Sequence, residues 1–142
     1  IYKMANAKNL NKRQHGLIFE TEASTGNRTL THQESGKVFF LSNASGADTI
    51  TLPSVLAGVN YQFYVTEDTP GAAITIAAGS AIIDLVMKDP GGNASNSTAG
   101  TAVSNIVIGT SATQGDYVSL MCDGTTWYAL ALSGIDNAIT TS

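Results

Sequence analysis

At 142 residues the chain has the length of one domain, and 43% apolar residues suffice to bury a core without covalent cross-links. A single cysteine excludes an internal disulfide framework, and no Cys/His spacing matches a structural zinc site. Charged residues make up only 13%, a low share for a free monomer, which favours a protein that packs against copies of itself or a larger body.

The first 27 residues are predicted to form an extended arm. They show no sustained period of two or 3.6 residues and are rich in Asn, Lys and Gln. Four of the seven basic residues lie within the first 13 positions, whereas the first acidic residue is Glu20. The sequence therefore predicts a cationic arm on an acidic body, with the apolar stretch "GLIFE" at 16–20 as a short anchor inside the arm.

From residue 28 onward the pattern is that of short strands separated by Gly, Pro, Asn, Asp and Ser. In the clearest of them, "VNYQFYVT" at 59–66, the residues Val59, Tyr61, Phe63 and Val65 alternate with more polar ones and mark a core face. Further strands are predicted at 28–32, 36–42, 48–53, 72–78, 81–87, 103–109 and on both sides of the dipeptide at 123–124.

About nine strands with short connections and no convincing helix predict an antiparallel β-sandwich of the jelly-roll type over residues 28–133. Residues 53–58 have room for one helical turn. Residues 89–101 are predicted to be an exposed, mobile loop, and residues 134–142 a C-terminal tail. No apolar run approaches the length of a membrane-spanning helix, so no membrane partner is expected.

The stretch "GDYVSLMCDGTTWYALAL" at 115–132 predicts a hairpin and contains the only tryptophan and the only cysteine. A two-residue turn pairs Leu120 with Trp127; a four-residue loop shifts the pairs but keeps the faces. One face carries Val118, Leu120, Cys122, Trp127, Ala129 and Ala131. The other carries Tyr117, Met121, Tyr128, Leu130 and Leu132, together with Ser119 and Thr126.

Both faces of this hairpin are apolar, which is unusual for a strand pair with one face in water. Trp127 has no carboxylate, amide or arginine at the adjacent positions, so core or subunit interface is a better interpretation than a sugar-stacking platform. The second face is too apolar for solvent and predicts another layer, either a second subunit or the arm. A fully internal strand pair is the remaining alternative.

Four stretches occur in an order that resembles small bacteriophage structural proteins, namely head decoration (cement) proteins and head-fibre or tail-fibre modules. They are "SGKVFFLSNASGADTITLP" at 35–53, "AGVNYQFYV" at 57–65, "AAITIAA" at 72–78 and "GDYVSLMCDGTTWYALA" at 115–131. The resemblance implies a β-sandwich or jelly-roll that assembles as a homotrimer on a virion and performs no chemistry. One domain with its own basic arm fits a free-standing decoration protein on the outer capsid surface better than a fibre module.

This resemblance implies two partners, the major capsid protein and further copies of the chain. Residues 1–20 are interpreted as the capsid anchor, because a cationic arm is steered toward an acidic capsid exterior; a solvated tail is the alternative. The anchoring residues are Lys3, Lys8, Lys12, Arg13, Leu17, Ile18 and Phe19. The predicted subunit interface is Tyr117, Met121, Tyr128, Leu130 and Leu132.

No catalytic motif is found. The only histidines are His15 and His32, and neither belongs to a recognisable Ser-His-Asp or metal-binding pattern. We therefore expect no enzyme, no cofactor and no metal, and the acidic body argues against nucleic acid as a partner. The alternative function is a carbohydrate-binding or receptor-binding module of a phage fibre or secreted adhesin, which uses loops around 93–101 or around Trp127.

Overall fold

The computed structural model describes residues 21–24, 26–90 and 101–142, and these residues form two β-sheets packed face to face. One sheet has seven strands in the order β1 (Thr21–Ser24), β3 (Val38–Leu41), β5 (Asn60–Val65), β10 (Tyr117–Cys122), β11 (Trp127–Leu132), β7 (Ile83–Lys88) and β8 (Thr101–Val103). The other has five in the order β12 (Ile139–Thr141), β9 (Asn105–Ile108), β6 (Ile74–Ala77), β4 (Asp48–Thr51) and β2 (Arg28–Thr29). The predicted all-β sandwich is confirmed.

The strand directions differ from the purely antiparallel expectation. The first six strands alternate between the two sheets, so that β1, β3 and β5 pair in parallel in one sheet and β2, β4 and β6 in the other. A parallel pair needs a connection that crosses over between its strands. Here each crossover is a strand of the opposite sheet, so the connecting loops are short and leave the same sequence signal as antiparallel hairpins.

The core lies between the inner faces of the two sheets. The alternation predicted for 59–66 is confirmed, because Tyr61, Phe63 and Val65 are buried and the residues between them are partly exposed. The ring of Phe63 lies 5.4 Å from that of Phe39, centroid to centroid. The Tyr61 hydroxyl donates a 2.7 Å hydrogen bond to the Thr31 carbonyl, and burial, with a contribution from Glu34, raises the pKa of Tyr61 to about 12.

Several segments have more or less structure than the sequence predicted. Strand β1 comes from the predicted arm and pairs with β3, and β12 comes from the predicted tail and pairs with β9. The strand predicted at 28–32 ends at Thr29, and a three-residue 3-10 helix follows at His32–Glu34. Residues 53–58 form no helical turn. Most of the loop predicted at 89–101 lies outside the described residues.

Candidate interaction surface

The hairpin of β10 and β11 turns through four residues, 123–126, and pairs Cys122 with Trp127 and Leu120 with Ala129. The two-residue turn is therefore wrong and the four-residue alternative is correct. Asp123 explains the longer loop, because its carboxylate accepts hydrogen bonds from the backbone N–H groups of Thr126 and Thr125 at 2.8 and 2.7 Å. These bonds stabilise the charged form and lower the pKa of Asp123 to about 2.

The inner side of this hairpin belongs to the core. Trp127 is fully buried, its ring centroid lies 5.9 Å from that of Tyr61, and its backbone N–H donates to the Ile82 carbonyl at 3.0 Å. Among the described residues its indole N–H has no hydrogen-bond partner. The interpretation of Trp127 as a core residue is confirmed, and its ring is not presented to a ligand.

The outer side of the hairpin is exposed. Met121 is 57% exposed, Tyr128 50% and Leu130 42%. These residues belong to a continuous surface on the seven-stranded sheet, which we call the apolar face: Phe40, Tyr64, Val86, Tyr117, Met121, Tyr128, Leu130 and Leu132. All five residues predicted for a subunit interface lie on it, side by side.

Strand register arranges the outer side of this sheet in three rows that run across the strands. The first row is Phe40, Tyr64, Tyr117, Leu132 and Lys88, on β3, β5, β10, β11 and β7. The second, on the same strands, is Val38, Gln62, Ser119, Leu130 and Val86. The third is Asn60, Met121, Tyr128 and Asp84, on β5, β10, β11 and β7.

Charge on the three rows is confined to β7, where Asp84 and Lys88 stand four residues apart on either side of Val86. Tyr128 adjoins Asp84 in the third row, and the carboxylates of Asp123 and, more weakly, Asp84 raise the pKa of the Tyr128 phenol because they disfavour a second negative charge. The tyrosines of the first row also contact one another, with 4.6 Å between the ring centroids of Tyr64 and Tyr117. The surface therefore combines aromatic and aliphatic contacts with one acid and one base.

Sequence reasoning missed Phe40, Tyr64 and Val86 as members of this surface. A usable signal was present, because "FF" at 39–40 and "LVM" at 85–87 each put large apolar residues at consecutive positions of a strand. Consecutive residues of a strand point to opposite faces, so each run had to turn at least one large apolar residue outward.

The predicted capsid anchor cannot be placed. Its residues Lys3, Lys8, Lys12, Arg13, Leu17, Ile18 and Phe19 all lie outside the described part of the chain, as does His15. The loop residues 93–100, proposed as a glycan contact in the alternative function, lie outside it as well. The structure therefore describes the residues of one of the two predicted sites, those predicted for the interface on β10 and β11.

Three side chains of types that often carry chemistry, His32, Cys122 and Asp116, have structural roles in the described part of the chain. His32 Nε2 lies 2.7 Å from the Ser54 carbonyl oxygen, and Cys122 is buried. The carboxylate of the buried Asp116 accepts hydrogen bonds from both the backbone and the hydroxyl of Thr113, from the Ser133 hydroxyl and from the Gly134 N–H. Among residues 21–24, 26–90 and 101–142 there is no cluster of three His, Cys, Asp or Glu side chains placed to hold a metal ion.

A cavity of about 420 Å³ opens at the end of the sandwich where the segments that follow β4 and β6 meet the 123–126 loop. Its lining includes Leu52, Val55, Ala78, Ala81 and Thr125 and contains no charged side chain. Such a lining offers no group that would hold an ion or a charged substrate. In the described part of the chain there is also no helix of the length and apolarity that crossing a bilayer requires.

Comparison of the chain with protein-family models and with curated proteins finds no match. The apolar face is therefore the feature of the molecule from which a function is inferred.

Proposed function

We propose that the chain is a structural protein of a bacteriophage particle, a decoration protein that binds the outer capsid surface as an oligomer and stabilises the shell. The observation that carries this proposal is the apolar face. Its six most exposed members are Phe40, Val86, Met121, Tyr128, Leu130 and Leu132. An exposed surface of this kind, on a rigid sheet, is typical of a protein that functions by contact with other proteins.

The size of the apolar face supports a contact role. Each of the six exposed side chains leaves between 38% and 57% of its area in water. If a whole large side chain offers about 150–250 Å², the exposed parts add up to about 500 Å². That is near the upper end for the largest patch on a monomer, and the polar residues of the three rows extend it toward the ~800 Å² that each partner contributes to a standard interface.

The proposal divides the chain into two contact regions. The apolar face joins copies of the body, and residues 1–20, with four basic side chains, contact the capsid. Several weak arm contacts held on one oligomer bind far more tightly than a single arm, because each further contact forms at high effective concentration. The low share of charged residues in the chain, 13%, fits a protein that is largely covered when assembled.

Sedimentation with phage heads tests this function. Heads purified from a lysate of the source culture and stripped of loosely bound proteins are mixed with the full chain, which we expect to pellet with them at a fixed ratio. Replacement of Lys3, Lys8, Lys12 and Arg13 by glutamine should abolish pelleting, whereas the matched variant with arginine at the three lysines should pellet normally. If the unmodified chain stays in the supernatant, the decoration function is wrong.

The glycan-binding alternative is tested in the same preparation. Because Trp127 is fully buried, its fluorescence should be blue-shifted, resistant to acrylamide quenching and unchanged by added glycans. Retention of the chain on a glycan array, with no binding to heads, would support the receptor-binding module instead.

A further inference from the structure

We infer that the apolar face is the contact between two copies of this chain, which pack face to face about a two-fold axis. The axis runs across the strands along the second row and passes through the position of Leu130. The inference rests on the proposal that this face is a protein contact surface, and it adds the partner and the geometry. A two-fold contact joins copies in pairs, in contrast to the homotrimer that the resemblance implies.

The three rows are self-complementary under this axis. Each strand faces the same strand of the other copy in reverse direction, so the first row faces the third and the second row faces itself. On β11, Leu132 then faces Tyr128, and Leu130 faces Leu130 of the other copy. On β10, Tyr117 faces Met121. Apolar side chains therefore meet apolar side chains along both central strands.

The polar positions match in the same way. On β5, Tyr64 in the first row faces Asn60 in the third, and Gln62 in the second row faces its own copy. Ser119 on β10 also faces itself. A hydroxyl or an amide can both donate and accept a hydrogen bond, so each of these groups finds a partner across the axis.

The charges on β7 select this axis. Asp84 and Lys88 are two residues from Val86 in opposite directions, so the reversal places Asp84 of each copy opposite Lys88 of the other. Two ion pairs form, one on each side of a Val86–Val86 contact. An axis along β11 instead places Asp84 opposite Met121 and Lys88 opposite Tyr117, which removes both charges from water without a counter-ion.

A second copy also fits better than the chain's own N-terminal segment. Residues 1–20 contain four basic side chains and one acidic one, Glu20, which directly precedes β1 in the sequence, and β1 lies five strands away from β7. Laid over the apolar face, that segment supplies a cation for Asp84 but no anion for Lys88. Only a partner with both signs, in reversed order, satisfies both positions, and a second copy has them by symmetry.

Charge exchange on the full chain tests the axis. Sedimentation equilibrium of the unmodified protein should give a mass of two subunits of 14.7 kDa. Asp84→Lys should give single subunits, because the new lysine faces Lys88 of the other copy, and Lys88→Asp should do the same with two acids. The double variant Asp84→Lys/Lys88→Asp should recover the two-subunit mass, since opposite charges again face each other.

A matched leucine pair tests the contact independently of the charges. Leu130→Lys places two lysines against each other at the axis and should give single subunits. Leu56→Lys makes the same change at a leucine that is 48% exposed but lies outside the three rows, and it should leave the two-subunit mass unchanged. Far-ultraviolet circular dichroism of every variant shows that the fold is retained.

Three results overturn the inference: an unmodified chain with the mass of one or three subunits, a double charge variant that stays as dissociated as the single ones, and a Leu130→Lys variant that keeps its partner. No phage head enters this experiment. Chains that form pairs but do not bind heads would therefore support this inference and contradict the decoration function. Chains that stay single but bind heads would support the decoration function and contradict this inference.

Discussion

The outer faces of the two sheets differ in chemistry although the inner faces are alike. The five-stranded sheet presents small and mostly polar side chains: Thr49, Thr51, Thr75, Ala77, Asn105, Val107 and Thr140. The seven-stranded sheet presents the apolar face. Inside, both sheets contribute buried side chains such as Ile76, Ile106 and Phe63 to one core.

Threonine shows what a sheet surface in water requires. It has the β-branched shape that strands favour and a hydroxyl that water can bind, so Thr49 and Thr75 satisfy both demands at neighbouring positions. The same sandwich therefore folds with one outer face that water solvates well. Folding of the sandwich does not explain why Met121, Tyr128 and Leu130 are exposed, and this difference between the faces supports the proposal that the apolar face is a contact surface.

The largest expected effect is on the free energy of unfolding, and it should differ between the buried and the exposed side of β11. Trp127→Ala should lower the free energy of unfolding by about 3–5 kcal/mol, because it empties a fully buried site. Leu130→Ser, three residues along the same strand, should cost less than about 1 kcal/mol in dilute solution. Urea denaturation, below the concentration at which copies associate, measures both. Equal losses in the free energy of unfolding would mean that Leu130 packs inside its own chain and that the two sides of β11 do not differ.

Much of the fold could be predicted from local patterns. The period-two alternation at 59–66 and the two-faced hairpin at 115–132 both indicated the correct faces, because side-chain direction in a strand depends only on the position along it. Strand pairing outside this hairpin could not be predicted. Whether β3 pairs with its neighbour in sequence or with β5 depends on packing between the sheets, and the loops look the same in both cases.

The candidate surface was predicted in part for a related reason. Tyr117 and Tyr128 lie on one hairpin, so the sequence alone shows that they share a face. Phe40 and Val86 reach the same face from β3 and β7, which are distant in sequence and come together only when the seven-stranded sheet forms. The proposed pairing of Asp84 with Lys88 of a second copy likewise depends on the register of β7 with β11.

An intermediate effect is expected when the chemistry of the two outer faces is exchanged. Met121→Thr, Tyr128→Thr and Leu130→Thr together should abolish association of the chain. Conversely, Thr49→Leu, Thr75→Leu and Thr140→Leu, three positions of one row on the five-stranded sheet, should join the pairs into larger aggregates.

Burial of the exposed part of each new leucine in a contact should contribute about 1 kcal/mol of favourable free energy. Light scattering at matched concentrations records both outcomes. Unaltered scattering from the leucine variant would show that apolar side chains on an outer face are not what drives association.

The smallest expected effect lies in the loop where the buried and exposed sides of the hairpin meet. Bonds from Thr126 and Thr125 hold the pKa of Asp123 at about 2, below its ordinary value of 3.8. A carboxyl whose pKa is lowered by folding stabilises the folded state above its unfolded pKa, so this contribution is complete above about pH 4 and is lost as the pH falls toward 2.

The pKa of the Tyr128 phenol, on the apolar face, should also respond to the charge of Asp123. Because Asp123 raises the pKa of Tyr128, the substitution Asp123→Asn should lower that pKa toward 10. Tyr61 is the internal control, since its pKa of about 12 comes from burial and from Glu34 rather than from the loop. A titration followed by NMR resolves the two phenols. An Asp123→Asn protein in which Tyr128 titrates as before would separate the loop from the apolar face, whereas a shift confined to Tyr128 would show that the charge of the loop acts on the exposed side of the hairpin and not on the core.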